Sequence, residues 1–225
     1  MNLSSLKTCI VGAGAIGGFL GARLAASGVP TSALARGATL EALRTHGWHL
    51  DSTDASLRTQ APVAIASDRA DVLGIHDLVI LAVKAQALPA LAPQLAPLIG
   101  PDTVVLTMMN GVPWWFCADQ PQVPGGRLES VDPGGAIAQA LPQGQVLGGV
   151  VHASAATSEP GRVQHRMGRG LIIGEPAGGT SARVAGLAPP INQAAAPAPP
   201  RTKDPARPPS SPPPARHRPG PAPAL

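Results

Sequence analysis

Gly12, Gly14 and Gly17 stand at the spacing G-x-G-x-x-G within the run Gly12-Ala13-Gly14-Ala15-Ile16-Gly17. A strand that enters such a turn and leaves it as a helix builds a cradle for a dinucleotide pyrophosphate. The flanks supply both halves. Lys7-Thr8-Cys9-Ile10-Val11 is β-prone, and Phe19, Leu20, Arg23 and Leu24 continue at helical spacing. Gly12 would make the tight turn, and Gly14 would let backbone approach phosphate. Gly17 would let the helix lie close on the strand. The helix, from Ile16 to about Ser27, would aim its first amides and its positive dipole end at the anion. Gly28 falls where a C-cap glycine belongs.

Two other readings of this segment fail on composition. A signal peptide would use Lys7, an apolar stretch and Ala25-Ala26-Ser27 as a cleavage-like site, but this much glycine makes a poor helix. A membrane helix packed through Gly14/Gly18 and Gly17/Gly21 would have only Cys9 to Ala22 before Arg23, too short for a bilayer.

Further chemistry lies downstream. An NAD site places Asp or Glu roughly twenty residues past the glycines, on the ribose hydroxyls. Here that position reads Ala35-Arg36, with no acid until Glu41. An arginine can grip a 2′-phosphate bidentately and stack on adenine, which favours NADP(H). Lys84 follows an apolar strand, where ligands of open α/β sheets bind. It can hold a carboxylate or orient a carbonyl. Asn110, one strand on, can hold a substrate oxygen or the nicotinamide ribose. His152 is read more simply as a packing histidine. His46 and His49 have no partner at ligand spacing, so no metal site is expected.

The elements that must position these residues alternate. Strands are predicted at Thr31–Ala35, Asp77–Val83, Asp102–Met108 and Val146–Ser154, with two or three short ones between Trp48 and Ala66. Arg162–His165 and Leu171–Gly174 are predicted to pair around a Gly168-Arg169-Gly170 turn. Gly37–Thr45 reads as a short helix. Pro89, Pro93 and Pro97 predict a kinked or broken helix after Val83, with the rings on one side. The fold class is α/β, a Rossmann-type doubly wound sheet, mostly parallel.

Composition sets the outer limits. Aromatics are 2% of the chain and there is no Tyr, so the core must be aliphatic, as in parallel sheets. The net charge of +4 resides wholly beyond Leu187, where five basic residues face one acid. The neutral body gives no reason to expect nucleic acid, and no segment suggests a membrane. Two cysteines make no disulfide framework, which suits a reducing cytoplasm. The predicted domains are 1–187, a dinucleotide-binding unit, and 188–225, a Pro/Ala/Arg-rich disordered tail that cannot bury enough apolar surface to order itself.

The sequence resembles the ketopantoate reductase (2-dehydropantoate 2-reductase) family. The resemblance rests on Gly12 to Gly17, Leu34-Ala35-Arg36, Val83-Lys84-Ala85, Asn110-Gly111-Val112-Pro113 and Gly148-Gly149-Val150-Val151-His152-Ala153. It implies NADPH-dependent reduction of a 2-keto acid, as in ketopantoate to pantoate in pantothenate biosynthesis. It further implies that Arg36 reads the 2′-phosphate, that Lys84 and Asn110 serve the cofactor and substrate site, and that Ser154 lies near the substrate. The family continues into an all-helical domain that supplies a proton-donating lysine, and no residue here is expected to take that catalytic role. The change to Pro/Ala/Arg repeats after Ala185-Gly186-Leu187 is what a reading-frame change in a GC-rich gene would leave, which sequencing of the locus would test. The expected activity is therefore impaired, with self-association through an apolar face left exposed. A non-catalytic NADPH-binding or interaction protein and a reductase of another 2-keto acid are the alternatives.

Overall fold

The computed structural model describes residues 5–118, 120, 122–179 and 181–195. The chain enters through β1 (Thr8–Val11), buried at every position. α1 (Ala15–Ala26) returns it to β2 (Thr31–Leu34), parallel to β1. α2 (Gly37–His46) leads to an antiparallel pair, β3 (Trp48–Ser52) and β4 (Thr59–Ala61). β5 (Ala66–Ser67) then pairs parallel with β2. α3 (Ala70–Leu73), β6 (Leu78–Leu81), α4 (Leu88–Leu91), β7 (Val104–Thr107) and α5 (Ala136–Ala140) follow. The long strands β8 (Val146–Glu159) and β9 (Arg162–Gly174) precede α6 (Ala182–Ala195).

The sheet order is β4-β3-β9-β8-β7-β6-β1-β2-β5. From β8 to β5 every neighbouring pair is parallel. That stretch is the doubly wound arrangement, and its order reverses between β1 and β6. Alternation along each strand feeds two cores. Ile10, Leu78, Ile80 and Leu106 pack with Phe19, Leu20 and Leu24 of α1 on one face. Cys9, Val11, Val79 and Leu81 pack with Leu88, Leu95 and Leu98 on the other. Burial pushes the Cys9 thiol up to about 12, so it is an inert apolar filler. Glycines on α1 face the β-layer: a Cβ at Gly18 or Gly21 would strike Val163 or Trp48 at 2.5 Å. The GxxxG pattern thus serves packing within the domain, and among the described residues no helix is long and apolar enough to cross a membrane.

The proline-spaced segment is broken as predicted. It runs as a 3-10 turn (Ala85–Ala87), α4, and a second 3-10 stretch (Ala92–Leu98) containing Pro97. Pro89 sits in the first turn of α4, where its missing N–H costs nothing. Leu88, Ala92, Leu95 and Leu98 are buried, whereas Pro93 and Pro97 are exposed.

The reading of the last strands is corrected. Arg162–His165 and Leu171–Gly174 are not separate strands; both belong to β9. The reversal occurs at Pro160-Gly161, where Gly161 adopts φ +73°. Gly168 (φ +74°) marks an irregularity within β9, opposite register shifts around Ser154. This strand also carries His165, buried against Phe19 at a ring separation of 5.4 Å. Its Nε2 donates to the Gly168 carbonyl at 2.6 Å, leaving Nδ1 to accept from the Ser52 hydroxyl at 3.1 Å.

The last helix runs past Leu187. α6 continues to Ala195, and Ile191 is as deeply buried as Leu187, in the α1-side core. Val184, Leu187 and Ile191 recur at helical spacing. The rest of the predicted tail, 196–225, lies outside the described residues. Arg183 ties α6 to the sheet: it donates to the carbonyls of Gly144 (2.6 Å) and Val146 (3.0 Å) and pairs with Glu175. Hydrogen bonds from Arg183 and Ser181 hold the Glu175 carboxyl at about 2, below its ordinary 4.5.

An Ile191→Ala chain should lose about 2–4 kcal/mol of stability in urea unfolding if α6 is part of the core. Glu175 stabilises the fold above its unfolded value of 4.5, and that contribution fades as pH falls toward about 2. Glu175→Gln should therefore lower the melting temperature at neutral pH and flatten its decline between those limits, as read by circular dichroism.

Candidate functional site

Parallel strands pointing the same way place their following loops along one edge of the sheet. At the reversal between β1 and β6, these loops enclose a cavity of about 680 Å³. Its walls include Val11 to Gly14, Leu34 to Arg36, Thr39, Asp68 to Asp71, Val83 and the α4 region.

The glycine elbow shapes the floor. Gly12 has φ +92°, and its amide donates to the Leu34 carbonyl at 3.0 Å. A Cβ there would meet Val83 Cγ1 at 2.6 Å. A Cβ at Gly17 would overlap the Gly12 carbonyl oxygen, so only glycine lets α1 start this close to β1. Gly14 differs. It is exposed, and a Cβ there would meet nothing within 4 Å. Open space lies in front of its backbone. α1 has no side-chain cap and no acid in its first turn. Its first amides have no partner within the helix, and their dipole favours a negative guest. The donor set and the space fit a pyrophosphate. Of the predicted cradle residues, Gly12, Ala13 and Gly14 line the cavity, while Ala15, Ile16 and Gly17 form the helix start behind it.

Arg36 lines the same cavity, as the residue before α2. It is exposed, and among the described residues its guanidinium has no hydrogen-bond or ion-pair partner. Arg36 is therefore free to take an anion.

Asn110 lies elsewhere. It lines a second cavity of about 320 Å³ at the carboxyl end of β7, with Met109, Gly111, Val112, Pro113, Trp115 and Phe116 on one side and Gly148 to Val150 of β8 on the other. Among the described residues, none lining this second cavity is ionisable. Its rim exposes Val112, Phe116 and Val150, each at least half accessible. Lys84 sits on the loop after β6, exposed, and lines neither cavity. Ser154 is exposed on β8 opposite Met167, about 13 Å along the strand from Val150. It too lies outside both cavities. His152 is exposed across from Gly170, not packed in the core as read from sequence.

Among the described residues no group of three or more His, Cys, Asp or Glu could hold a metal. His49 instead approaches Arg162 (3.1 Å) and Asp51 (3.5 Å). The sequence reading missed Asp68, Arg69 and Asp71, which the two-residue strand β5 delivers to the cavity wall. The available signal was a cluster of charge, Asp68-Arg69-Ala70-Asp71, just past a short β-prone step.

Residues 8–119 match the family model for ketopantoate reductase PanE/ApbA. Over 198 residues the chain is 43% identical to a 2-dehydropantoate 2-reductase of Mesorhizobium japonicum, covering 87% of this chain and 60% of that protein. A crystal structure from Ralstonia solanacearum MolK2, assigned to the ketopantoate reductases, superposes with a TM-score of 0.78 at 53% identity, over 84% of this chain and 59% of that one. A 2-dehydropantoate 2-reductase from Geobacter metallireducens GS-15 gives 0.67 at 28% identity, over 84% and 56%. The chain thus spans less than two thirds of the length of these relatives. It belongs to the ketopantoate reductase PanE/ApbA family, whose N-terminal domain it forms.

Proposed function

We propose that this chain binds NADPH at the glycine elbow and presents it to a 2-keto acid, 2-dehydropantoate, for reduction to pantoate. The observation that carries this reading is the pairing of open space at Gly14, beside the first amides of α1, with an uncommitted Arg36 on the same cavity. The backbone from Gly12 to Gly14 and the first amides of α1 would hold the diphosphate. Arg36 would hold the 2′-phosphate. When bound, the nicotinamide supplies the hydride. Lys84 and Asn110, on the loops after the adjacent strands β6 and β7, would flank the side where a keto acid meets the ring, whereas Ser154, outside both cavities, is too far along β8 to reach so small a substrate.

The product alkoxide needs a proton, and a positioned acid contributes about 10²–10⁴-fold. The apolar, non-ionisable lining of the Asn110 cavity provides none. Its exposed rim also leaves water free to enter, so the chain by itself binds cofactor better than it turns over. The same lining supports a second reading, an NADPH-binding protein without reductase activity.

Fluorescence titration should show NADPH binding more tightly than NADH. Arg36→Ala should weaken NADPH on the order of tenfold and change NADH little, since only the former carries the extra phosphate. Equal affinity for both coenzymes would reject the NADPH reading. In a steady-state assay with 2-dehydropantoate, kcat should fall about 10²–10⁴-fold below that of the Mesorhizobium relative. Turnover near the relative's would show that a proton donor is present after all.

A further inference from the structure

β2 and β5 are adjacent parallel strands, with Leu34 aligned with Ser67. Arg36 lies two residues beyond Leu34, and Arg69 lies two residues beyond Ser67. The two arginines are therefore register equivalents on strands about 4.8 Å apart. The likeness extends to the backbone. Each is extended (φ −135° and −115°) and each is the last residue before a helix. Both line the same cavity.

They differ in what occupies them. Arg36 is uncommitted, whereas Arg69 is clamped by Asp71. Arg69 Nε donates to Asp71 Oδ1 at 3.0 Å, and its Nη2 donates to Oδ2. This fork is solvent-exposed, with 69% and 54% of the two side chains accessible. An exposed ion pair contributes little stability, so it can be exchanged at low cost. A phosphomonoester carries up to two charges near neutral pH and three acceptor oxygens, against one charge and two oxygens for the carboxylate. A phosphate beside Arg36 would therefore compete with Asp71 for the neighbouring fork.

Resting on the NADPH reading above, we propose that Arg69 is a second 2′-phosphate-binding residue and that Asp71 is its internal competitor. Asp71 holds the Arg69 fork when no phosphate is present and yields it when one arrives. The pair sets how strongly the chain distinguishes NADPH from NADH. Without the 2′-phosphate, the Arg69–Asp71 fork stays closed.

The test uses the full chain and isothermal titration calorimetry with 2′,5′-ADP and 5′-ADP, which isolate the adenosine end. Arg69→Ala should weaken 2′,5′-ADP about tenfold and leave 5′-ADP unchanged. Asp71→Asn should strengthen 2′,5′-ADP several-fold, again without effect on 5′-ADP. Arg69→Lys, which keeps the charge but not the fork, should fall between wild type and Arg69→Ala. Equal weakening of both ligands by Arg69→Ala would assign the residue to adenine or to folding and overturn the proposal. So would tighter binding of neither ligand in Asp71→Asn. If Arg36→Ala abolishes the preference for 2′,5′-ADP and Arg69→Ala does not, the NADPH reading stands and this proposal falls. If the wild-type chain shows no such preference, both fall together.

Discussion

Everything at the cofactor end depends on how closely α1 starts behind β1. Gly17 lies against the Gly12 carbonyl with no room for a Cβ, and Gly12 is pressed on Val83 with φ +92°. This contact fixes where the first amides of α1 point. A methyl group at either position would push the helix outward and rotate those amides off the cavity. Gly14 carries the opposite demand, since its freedom from contacts keeps the space in front of the amides open. One turn thus combines two crowded positions with one empty one, a geometry that suits an anion.

The parallel sheet turns this local geometry into a site. Each parallel strand ends at the same edge, so β1, β2, β5 and β6 bring their following residues to one cavity. β7 and β8 form a second cavity farther along that edge. The two cavities differ in chemistry. The first is ringed by Arg36, Asp68, Arg69 and Asp71. The second is apolar apart from Thr107, Asn110, the Trp115 indole N–H and backbone. On the proposed reading, a charged adenosine phosphate would take the first and the uncharged carbonyl end of a substrate the second.

Much of this was legible because it is local. The glycine spacing, the aliphatic strand Leu78–Leu81 and the proline-broken segment each declare themselves within a few residues. What escaped was set by distant partners. β9 reads as two strands because Gly168 and Gly170 resemble a turn, yet pairing with β8 carries the strand through them. α6 reads as tail because Pro189 and Pro190 interrupt it, yet burial of Ile191 outweighs their loss of backbone donors. β5 has only two residues, too few for any periodicity, so its alignment with β2 is invisible in sequence. Arg69 could not be placed beside Arg36 without that alignment.

The same alignment bears on the choice of coenzyme. By chain position alone, the absence of an acid after β2 favours a phosphorylated adenosine. In space, β5 returns two acids, Asp68 and Asp71, to the cavity, but it returns Arg69 with them. The charges lining that wall balance, two basic against two acidic, once Arg36 is included. Selectivity for a 2′-phosphate there cannot come from a simple excess of positive charge. On the NADPH proposal it would come from which cations are free to reorganise, and Arg36, unlike Arg69, has no partner among the described residues. On the proposed NADPH reading, discrimination would be a property of how the arginines are held, set by the pairing of two short parallel strands.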